Sequence, residues 1–307
     1  MVIRTLNIDS VEPFISKLHI PFKDSHKGQN GRVLVIGGSQ LFHSASIWAA
    51  EIASYFVDIV HYSSTEENKE IFLSLKKKFR NGIVVSRNDL PSYIAEDDVV
   101  LAGPGMLRSD KYQIPNIKYQ NWEQINKIIK ESDYTYYLTK YLIENFPKKR
   151  FVFDAGVLQM MDKEWLKMLE TPAVLTPHQG EFKMLFGVEL SGLPLNEKEK
   201  VVCNLAGKYR CIILLKSVVD IISDGSATVV VEGGNPGLTK GGMGDILAGL
   251  TTAFYAKNEP FQSAVLASFF LKRTADVLFK HKGYWYNVND IIERLPYILK
   301  AAVFDKR

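Results

Sequence analysis

The chain has 307 residues, 46% of them hydrophobic and 23% charged, with a formal net charge of +4. That balance is ordinary for a globular protein and allows one large α/β domain with a full core. No apolar run reaches the ~18 residues needed to cross a bilayer, and no long basic stripe with interleaved aromatics marks a nucleic-acid footprint. Small-molecule partners are therefore expected, not nucleic acid or membrane. The opening MVIRTLNIDSVEPF carries acids and lacks the apolar stretch of a secretory signal, so a cytoplasmic protein is expected. Lys76-Lys77-Lys78 and Lys148-Lys149-Arg150 read as solvated helix ends or loops. Cys203 and Cys211 suit neither a disulfide framework nor a metal site and read as reduced, buried thiols.

Strand and helix signals alternate along the chain. Val33 to Ile36 is a short β-branched run ending at Gly37-Gly38-Ser39, and Ala45 to Phe56 reads as a helix. Val57 to Val60, Ile83 to Val85 and Val99 to Leu101 read as strands, the last ending at Gly103-Pro104-Gly105. Residues from about Tyr112 to Pro147 are tyrosine-rich and read as two helices. Phe151 to Phe153, Ala173 to Leu175 and Cys211 to Leu215 are further strands, ending at Asp154, Thr176 and Lys216. Val219 to Ile222, an Asp224-Gly225 turn and Thr228 to Val231 form a hairpin signature. Helices follow at Asp245 to Ala256, Gln262 to Phe279 and, shorter, Val288 to Leu299.

Uninterrupted apolar strands are usually buried on both faces of a parallel sheet. With helices between them, a doubly wound sandwich is expected, and with no linker or repeat in view residues 1–307 read as one domain. Nearly every strand ends in a polar or glycine-rich loop. In open α/β sheets the ligand sits at the carboxyl ends of the strands, so these loops are expected to share one rim.

The densest signal is Gly234-Asn235-Pro236-Gly237-Leu238-Thr239-Lys240-Gly241-Gly242-Met243-Gly244-Asp245, followed by an amphipathic helix. Glycines let backbone N–H groups approach an anion, and the helix N-terminus adds partial positive charge. Together they suit phosphate. Asp245 is the odd residue there. It can cap the helix, and it can take the proton from an attacking hydroxyl; both roles fit the spacing. The Walker pattern is absent, and the loop lies too late in the chain for a Rossmann fingerprint.

GNPGLTKGGMGD resembles the GNPG…GGxGD signature of the NAD(P)H-hydrate dehydratases, a ribokinase-like family. GRVLVIGGS (31–39), VVLAGPG (99–105), FVFDAGVL (151–158), LTPHQGE (175–181), ILLK (213–216) and NDIIERLP (289–296) agree in order. The resemblance covers roughly residues 25 to 300 and implies a ribokinase-like three-layer α/β sandwich. It implies an enzyme that spends ADP or ATP, with Mg2+, to phosphorylate the ring hydroxyl of (S)-hydrated NADH or NADPH; phosphate then leaves and the double bond returns. By the same resemblance Asp245 would be the base. Ala45, in the loop after the first strand, Gly105, Asp154, His178 and Asn235 would face the hydrated dinucleotide. Lys216, Ser217, Val218, Val219 and Asp220, with Gly241, Gly242 and Gly244, would hold the nucleotide. A homo-oligomer is expected, no protein metal cage is, and the family's epimerase would be a separate protein.

Three stretches depart from the family pattern: Leu41 to Ser44, Met106-Leu107, and Lys216 to Val219, which replaces a glycine-richer segment. Plainer roles also stand beside the functional ones. His178 and Asp154 can each serve a helix start, Lys216 can reach from its strand end into water, and His43, His61, Met160 and Met161 read as structural. The rival functions are a ribokinase-like kinase acting on a vitamin-precursor alcohol and a non-catalytic nucleotide-binding protein.

Overall fold

The computed structural model describes residues 1–77, 79–109 and 121–305. Its strands are β1 (Val2–Arg4), β2 (Arg32–Ile36), β3 (Ile59–Ser63), β4 (Ile83–Val84), β5 (Val99–Ala102), β6 (Arg150–Phe153), β7 (Val174–Leu175), β8 (Ile212–Leu215), β9 (Asp220–Ser223) and β10 (Thr228–Glu232). They form one ten-stranded sheet in the order β1-β10-β9-β8-β7-β6-β5-β2-β3-β4. From β8 across to β4 all pairs are parallel, β9 runs against both its neighbours, and β1 pairs parallel with β10. The helices are α1 (Glu12–Ile15), α2 (Ser44–Ala53), α3 (Glu66–Ser74), α4 (Leu90–Glu96), α5 (Trp122–Asn126), α6 (Glu131–Asn145), α7 (Ala155–Met160), α8 (Gln179–Phe186), α9 (Leu195–Tyr209), α10 (Met243–Tyr255), α11 (Pro260–Lys282) and α12 (Val288–Phe304).

Side chains alternate across a strand, so each apolar strand feeds two cores. Val33, Val35, Val99, Leu101 and Val152 enter a core with residues of α2, α10, α11 and α12. Leu34, Ile36, Val100, Phe151 and Phe153 enter another with α6, α7, α8 and α9. The result is the three-layer α/β sandwich expected from the sequence. Gly249 lets α10 lie hard against α2, because a side chain there would meet Ala49 O at 2.4 Å.

Several elements differ from the sequence reading. β3 lies two residues later than expected and includes His61 and Tyr62, whose polar atoms are satisfied inside. His61 Nδ1 lies 2.8 Å from Asp97 Oδ2, and the Tyr62 hydroxyl lies 3.0 Å from Ser46 Oγ. β1 buries only Ile3, too little to show as a pattern. α9 carries acids and lysines through its first turns and buries only Val202, Ala206 and Tyr209, too little to show as a pattern. α12 continues past Leu299 to Phe304, with Pro296 inside it. The tyrosine-rich stretch holds α5 and α6 as expected; residues 110–120 lie outside the described residues. The Lys76 ammonium folds back onto the carbonyls of Arg80, Asn81 and Gly82 at a helix end, while Lys78 lies outside the described residues. Cys211 is buried as expected, but Cys203 is only partly so. Among the described residues no helix is long and apolar enough to cross a membrane.

Candidate active site

The strand ends form one rim, and backbone hydrogen bonds stitch it together. Gly103 N donates to Ile36 O at 3.1 Å, Gly38 N to Pro104 O at 2.7 Å and Asp154 N to Ala102 O at 3.1 Å. Thr176 N donates to Phe153 O at 3.1 Å, and Lys216 N to Pro177 O at 2.8 Å. A β-bridge between His178 and Lys216 continues the parallel pairing beyond the strands. Gly103, with φ of 129°, is required here: a side chain would lie 1.8 Å from Asp154 O.

Lys216 does not reach into water. Its ammonium turns along the rim to Asp154 Oδ1 at 2.8 Å and lies 3.7 Å from Glu181 Oε2. Burial works against its charge, but Asp154 and Glu181 outweigh that and raise its proton affinity. Asp154 is buried at the N-cap position of α7, yet its side chain caps nothing. Its Oδ1 takes Thr176 Oγ1 at 2.8 Å as well as Lys216. A buried carboxylate needs such partners to remain charged.

The glycine loop is fastened from behind. Asp276 on α11 accepts Gly234 N at 3.0 Å. Asn235 Oδ1 accepts Gly237 N at 3.1 Å and the Tyr286 hydroxyl at 2.8 Å, while its Nδ2 donates to Ala275 O at 3.0 Å. Lys240 Nζ donates to the carbonyls of Tyr284 and Tyr286. With its frame held by these side chains, the front of the loop presents little but backbone. Gly241 is exposed with open space around its Cα, and Gly242, at φ 96°, is the N-cap of α10, which no side chain caps. A carbon added to Gly244 would sit 3.4 Å from Lys216 Nζ. The first amides of a helix have no partners within it, so here they face the cleft beside a lysine.

Asp245 stands in the first turn of α10 at the same spot. Burial, then the negative charges of Asp154 and Glu181, push its carboxyl up to about 7, against the pull of Lys216. A group poised near neutrality can both accept and return a proton.

His178 is the N-cap of α8 in a capping box with Glu181. Its Nδ1 accepts from Gly180 N at 3.0 Å and Glu181 N at 3.2 Å. The plainer role is therefore real, and the ring still lines the cleft. Gly105, at φ 71°, packs toward Ala45 and Phe42 across the rim. Ala45 lies in the first turn of α2, not in the loop before it.

A cleft of about 530 Å3 opens beside the glycine loop, walled by His178, Lys216, Leu238, Met243, Leu247 and Leu271. Its apolar wall suits a nucleobase and its bare amides suit phosphate, so the residues fit a nucleotide. Ser217 and Val218 divide it from a second space of about 350 Å3 beside Gln179, Lys198 and Val219. The Ser217 and Val218 carbonyls accept from Lys272 Nζ at 3.0 and 2.7 Å.

Two residues expected to face ligand line the cleft and are also bonded within the protein. Asp220 turns inward: Ser217 N and Lys272 Nζ approach one oxygen at 2.8 and 3.3 Å, and the Ser268 hydroxyl takes the other at 2.7 Å. Asn235, bonded as above, shapes the loop and also lines the cleft. His43 and His61 are structural as read, paired with Asn68 and Asp97. Sequence reasoning missed Glu181, Thr176 and Lys272 as members of the site. The first two lie inside the LTPHQGE motif, whereas Lys272 sits in α11 with no local signal. Among the described residues no group of three or more His, Cys, Asp or Glu is placed to hold a metal ion.

Residues 33–297 match the family described as NAD(P)H-hydrate dehydratase. The chain belongs to this family. It is similar to an ADP-dependent (S)-NAD(P)H-hydrate dehydratase of Nitrosopumilus maritimus, 32% identical over 100% of this chain and 99% of that protein. It is also 33% identical to a bifunctional NAD(P)H-hydrate repair enzyme of Methanocaldococcus jannaschii, over 90% of this chain but only 50% of that protein. The chain thus spans about half the length of the bifunctional relatives it matches. A dehydratase-family structure from Bacillus subtilis, an ADP/ATP-dependent NAD(P)H-hydrate dehydratase crystallised with ATP and Mg2+, superposes with a TM-score of 0.74 at 19% identity, over 95% of this chain and 97% of that one. A ribokinase-like protein of Enterococcus faecalis superposes with a TM-score of 0.76 at 22% identity, over 98% of this chain and 96% of that one. The fold is therefore ribokinase-like.

Proposed function

We propose that this chain dehydrates (S)-hydrated NADH or NADPH back to the reduced dinucleotide, using ADP or ATP to phosphorylate the ring hydroxyl before phosphate is lost. One observation carries the reading: Asp245, a carboxyl pushed up to about 7, stands in the uncapped first turn of a helix beside an inward-held lysine. Similarity along the full chain to the ADP-dependent dehydratase of Nitrosopumilus maritimus supports the substrate class.

Hydroxide leaves poorly and phosphate leaves well. Asp245 takes the proton of the ring hydroxyl as its oxygen attacks the terminal phosphorus of ADP or ATP, and the bond from that phosphorus to the bridging oxygen breaks, releasing AMP or ADP. The amides around Gly241, Gly242 and Gly244 hold the phosphoryl oxygens, and Lys216 adds a fixed positive charge beside them. Mg2+, held by phosphate oxygens and water, would supply further charge neutralisation. In the second half the carbon–oxygen bond breaks and its electron pair leaves with phosphate. A proton is lost from the neighbouring ring carbon, and that C–H pair becomes the restored double bond. Ser217, Val218 and Val219 line the nucleotide side. Ala45, Gly105 and His178 face the dinucleotide, and Asp154 contributes by holding Lys216.

The test is incubation with hydrated NADH and, separately, hydrated NADPH, each with ADP or ATP and Mg2+. Nucleotide-dependent return of the reduced-nicotinamide absorbance is expected. No return with either nucleotide, together with phosphorylation of a vitamin-precursor alcohol, would instead favour a kinase.

A further inference from the structure

Lys272 stands in the middle of α11 and is 4% exposed. Among the described buried residues of this helix it is the only charged one. Its ammonium donates to Ser217 O at 3.0 Å and to Val218 O at 2.7 Å. It also lies 3.3 Å from Asp220 Oδ1 and 3.5 Å from Gly233 O.

These acceptors belong to two walls of the 530 Å3 cleft. Ser217, Val218 and Asp220 form the strap that leads from β8 into β9, and Gly233 opens the glycine loop after β10. The Lys272 stem is part of the same wall. A carbon added to Gly234 would meet Lys272 Cγ at 3.1 Å. Asp276, one turn further along α11, accepts Gly234 N at 3.0 Å. One helix thus holds both walls, and the Lys272 ammonium reaches both.

The strap has little packing of its own. It has the cleft on one flank and the 350 Å3 space on the other, and Val218 is 87% exposed. For stability alone an apolar side chain at 272 is often as good, because a buried cation must be desolvated. What the cation adds is a fixed spacing between strap and loop.

We propose that Lys272 is a positioning residue for the nucleotide, tying the Ser217–Asp220 strap to the head of the glycine loop so that the cleft between them keeps its width. The inference rests on reading that cleft as the nucleotide site of the dehydratase. Gly105 and Ala45, assigned above to the dinucleotide, are not among its walls. Loss of the tie therefore acts on the nucleotide and spares the dinucleotide.

Lys272→Met keeps the stem and removes the ammonium. It also leaves Asp220 buried without its cation, so Lys272→Met/Asp220→Asn is made beside it and compared with Asp220→Asn. ADP and ATP binding are read by calorimetry on the whole chain, and initial rates are read against each substrate. In Lys272→Met against wild type, and in the double variant against Asp220→Asn, nucleotide Kd and KM are expected to rise about tenfold, as for one charge-assisted hydrogen bond lost, while KM for hydrated NADH moves less than about twofold. A smaller folded fraction lowers kcat and moves neither KM, so the split separates placement from stability. Unchanged nucleotide affinity in the double variant overturns the inference, as does an equal rise in both KM values. If neither variant folds, Lys272 serves the fold and not the site, and the inference falls. Wild-type protein that binds nucleotide without dehydrating sinks the dehydratase reading and leaves the Kd comparison standing. Wild-type protein that binds neither nucleotide overturns both.

Discussion

Lys216 Nζ lies 2.8 Å from Asp154 Oδ1, and this pair joins the end of β8 to the end of β6 across β7. The contact is nearly dry, with side-chain exposures of 17% and 2%. Its value is in placement: it aims one cation at the foot of the glycine loop and sets it beside two buried carboxyl groups.

Lys216→Met removes that cation while keeping its bulk. Asp154 and Glu181 are then buried without their counter-charge, a situation that costs about 3–5 kcal/mol. Urea denaturation at neutral pH reads the loss, and turnover is expected to vanish with it. A variant as stable as wild type would show that the pair is dispensable to folding.

Asp245→Asn separates chemistry from binding. Loss of a general base is expected to lower kcat by about 10²–10⁴, with ADP affinity retained in calorimetry. Stability moves the other way. The folded carboxyl is pushed from 3.8 up to about 7, so the native state holds its proton more tightly than the unfolded chain and wild-type stability declines as pH rises through that interval. Asparagine does not titrate. Three units correspond nominally to about 4 kcal/mol, but the residue is partly open to water, so a gain of about 1–2 kcal/mol is expected at about pH 8. The gain should shrink toward about pH 4. A gain independent of pH would show that Asp245 is charged with no penalty.

Most of the sheet was legible because its strands are fully apolar runs closed by glycine or polar loops, and β2, β5, β6 and β8 lie within a residue of where the sequence put them. β3 was displaced because His61 and Tyr62 look polar in one dimension and are paired only in three. The glycine loop and Asp245 were legible as local signals. The second role of Asp220 and Asn235 was not: a polar residue beside a ligand loop can line the cleft and also hold the loop, and only the positions of Lys272, Ser268, Tyr286 and Ala275 show the holding. Glu181 was legible only as part of the LTPHQGE motif, and it stands in the first turn of α8. Its approach to Lys216 depends on β7 and β8 being neighbours, information that no local spacing holds.

His178 is expected to show two separable effects. His178→Ala removes the N-cap, costing about 0.5–2 kcal/mol, and raises KM for the hydrated dinucleotide. His178→Asn restores a good cap and is expected to recover the stability without recovering KM. Thermal melts and initial rates on the same samples distinguish them. Recovery of both by asparagine would mean that His178 acts only as a cap.

The glycine loop makes the sharpest contrast, because its three neighbouring glycines differ in what a methyl would meet. At Gly241 there is open space, and Gly241→Ala is expected to be near neutral for stability. At Gly242 the φ of 96° disfavours any side chain, and the new carbon would lie 2.6 Å from Val288 Cγ2 and 2.7 Å from Trp48. Strained backbone costs about 1–3 kcal/mol and overpacking about 1–3 kcal/mol more, so Gly242→Ala should melt well below wild type. At Gly244 the backbone is ordinary helix and alanine there is intrinsically favoured by up to about 1 kcal/mol. The methyl would nevertheless stand 3.4 Å from Lys216 Nζ, in the space assigned to phosphate. Gly244→Ala is therefore expected to fold at least as well as wild type while raising the nucleotide KM tenfold or more, roughly the loss of one charge-assisted contact. If Gly244→Ala raises that KM no further than Gly241→Ala does, phosphate does not lie over the first turn of α10, and the reading of Asp245 as the base beside it loses its footing.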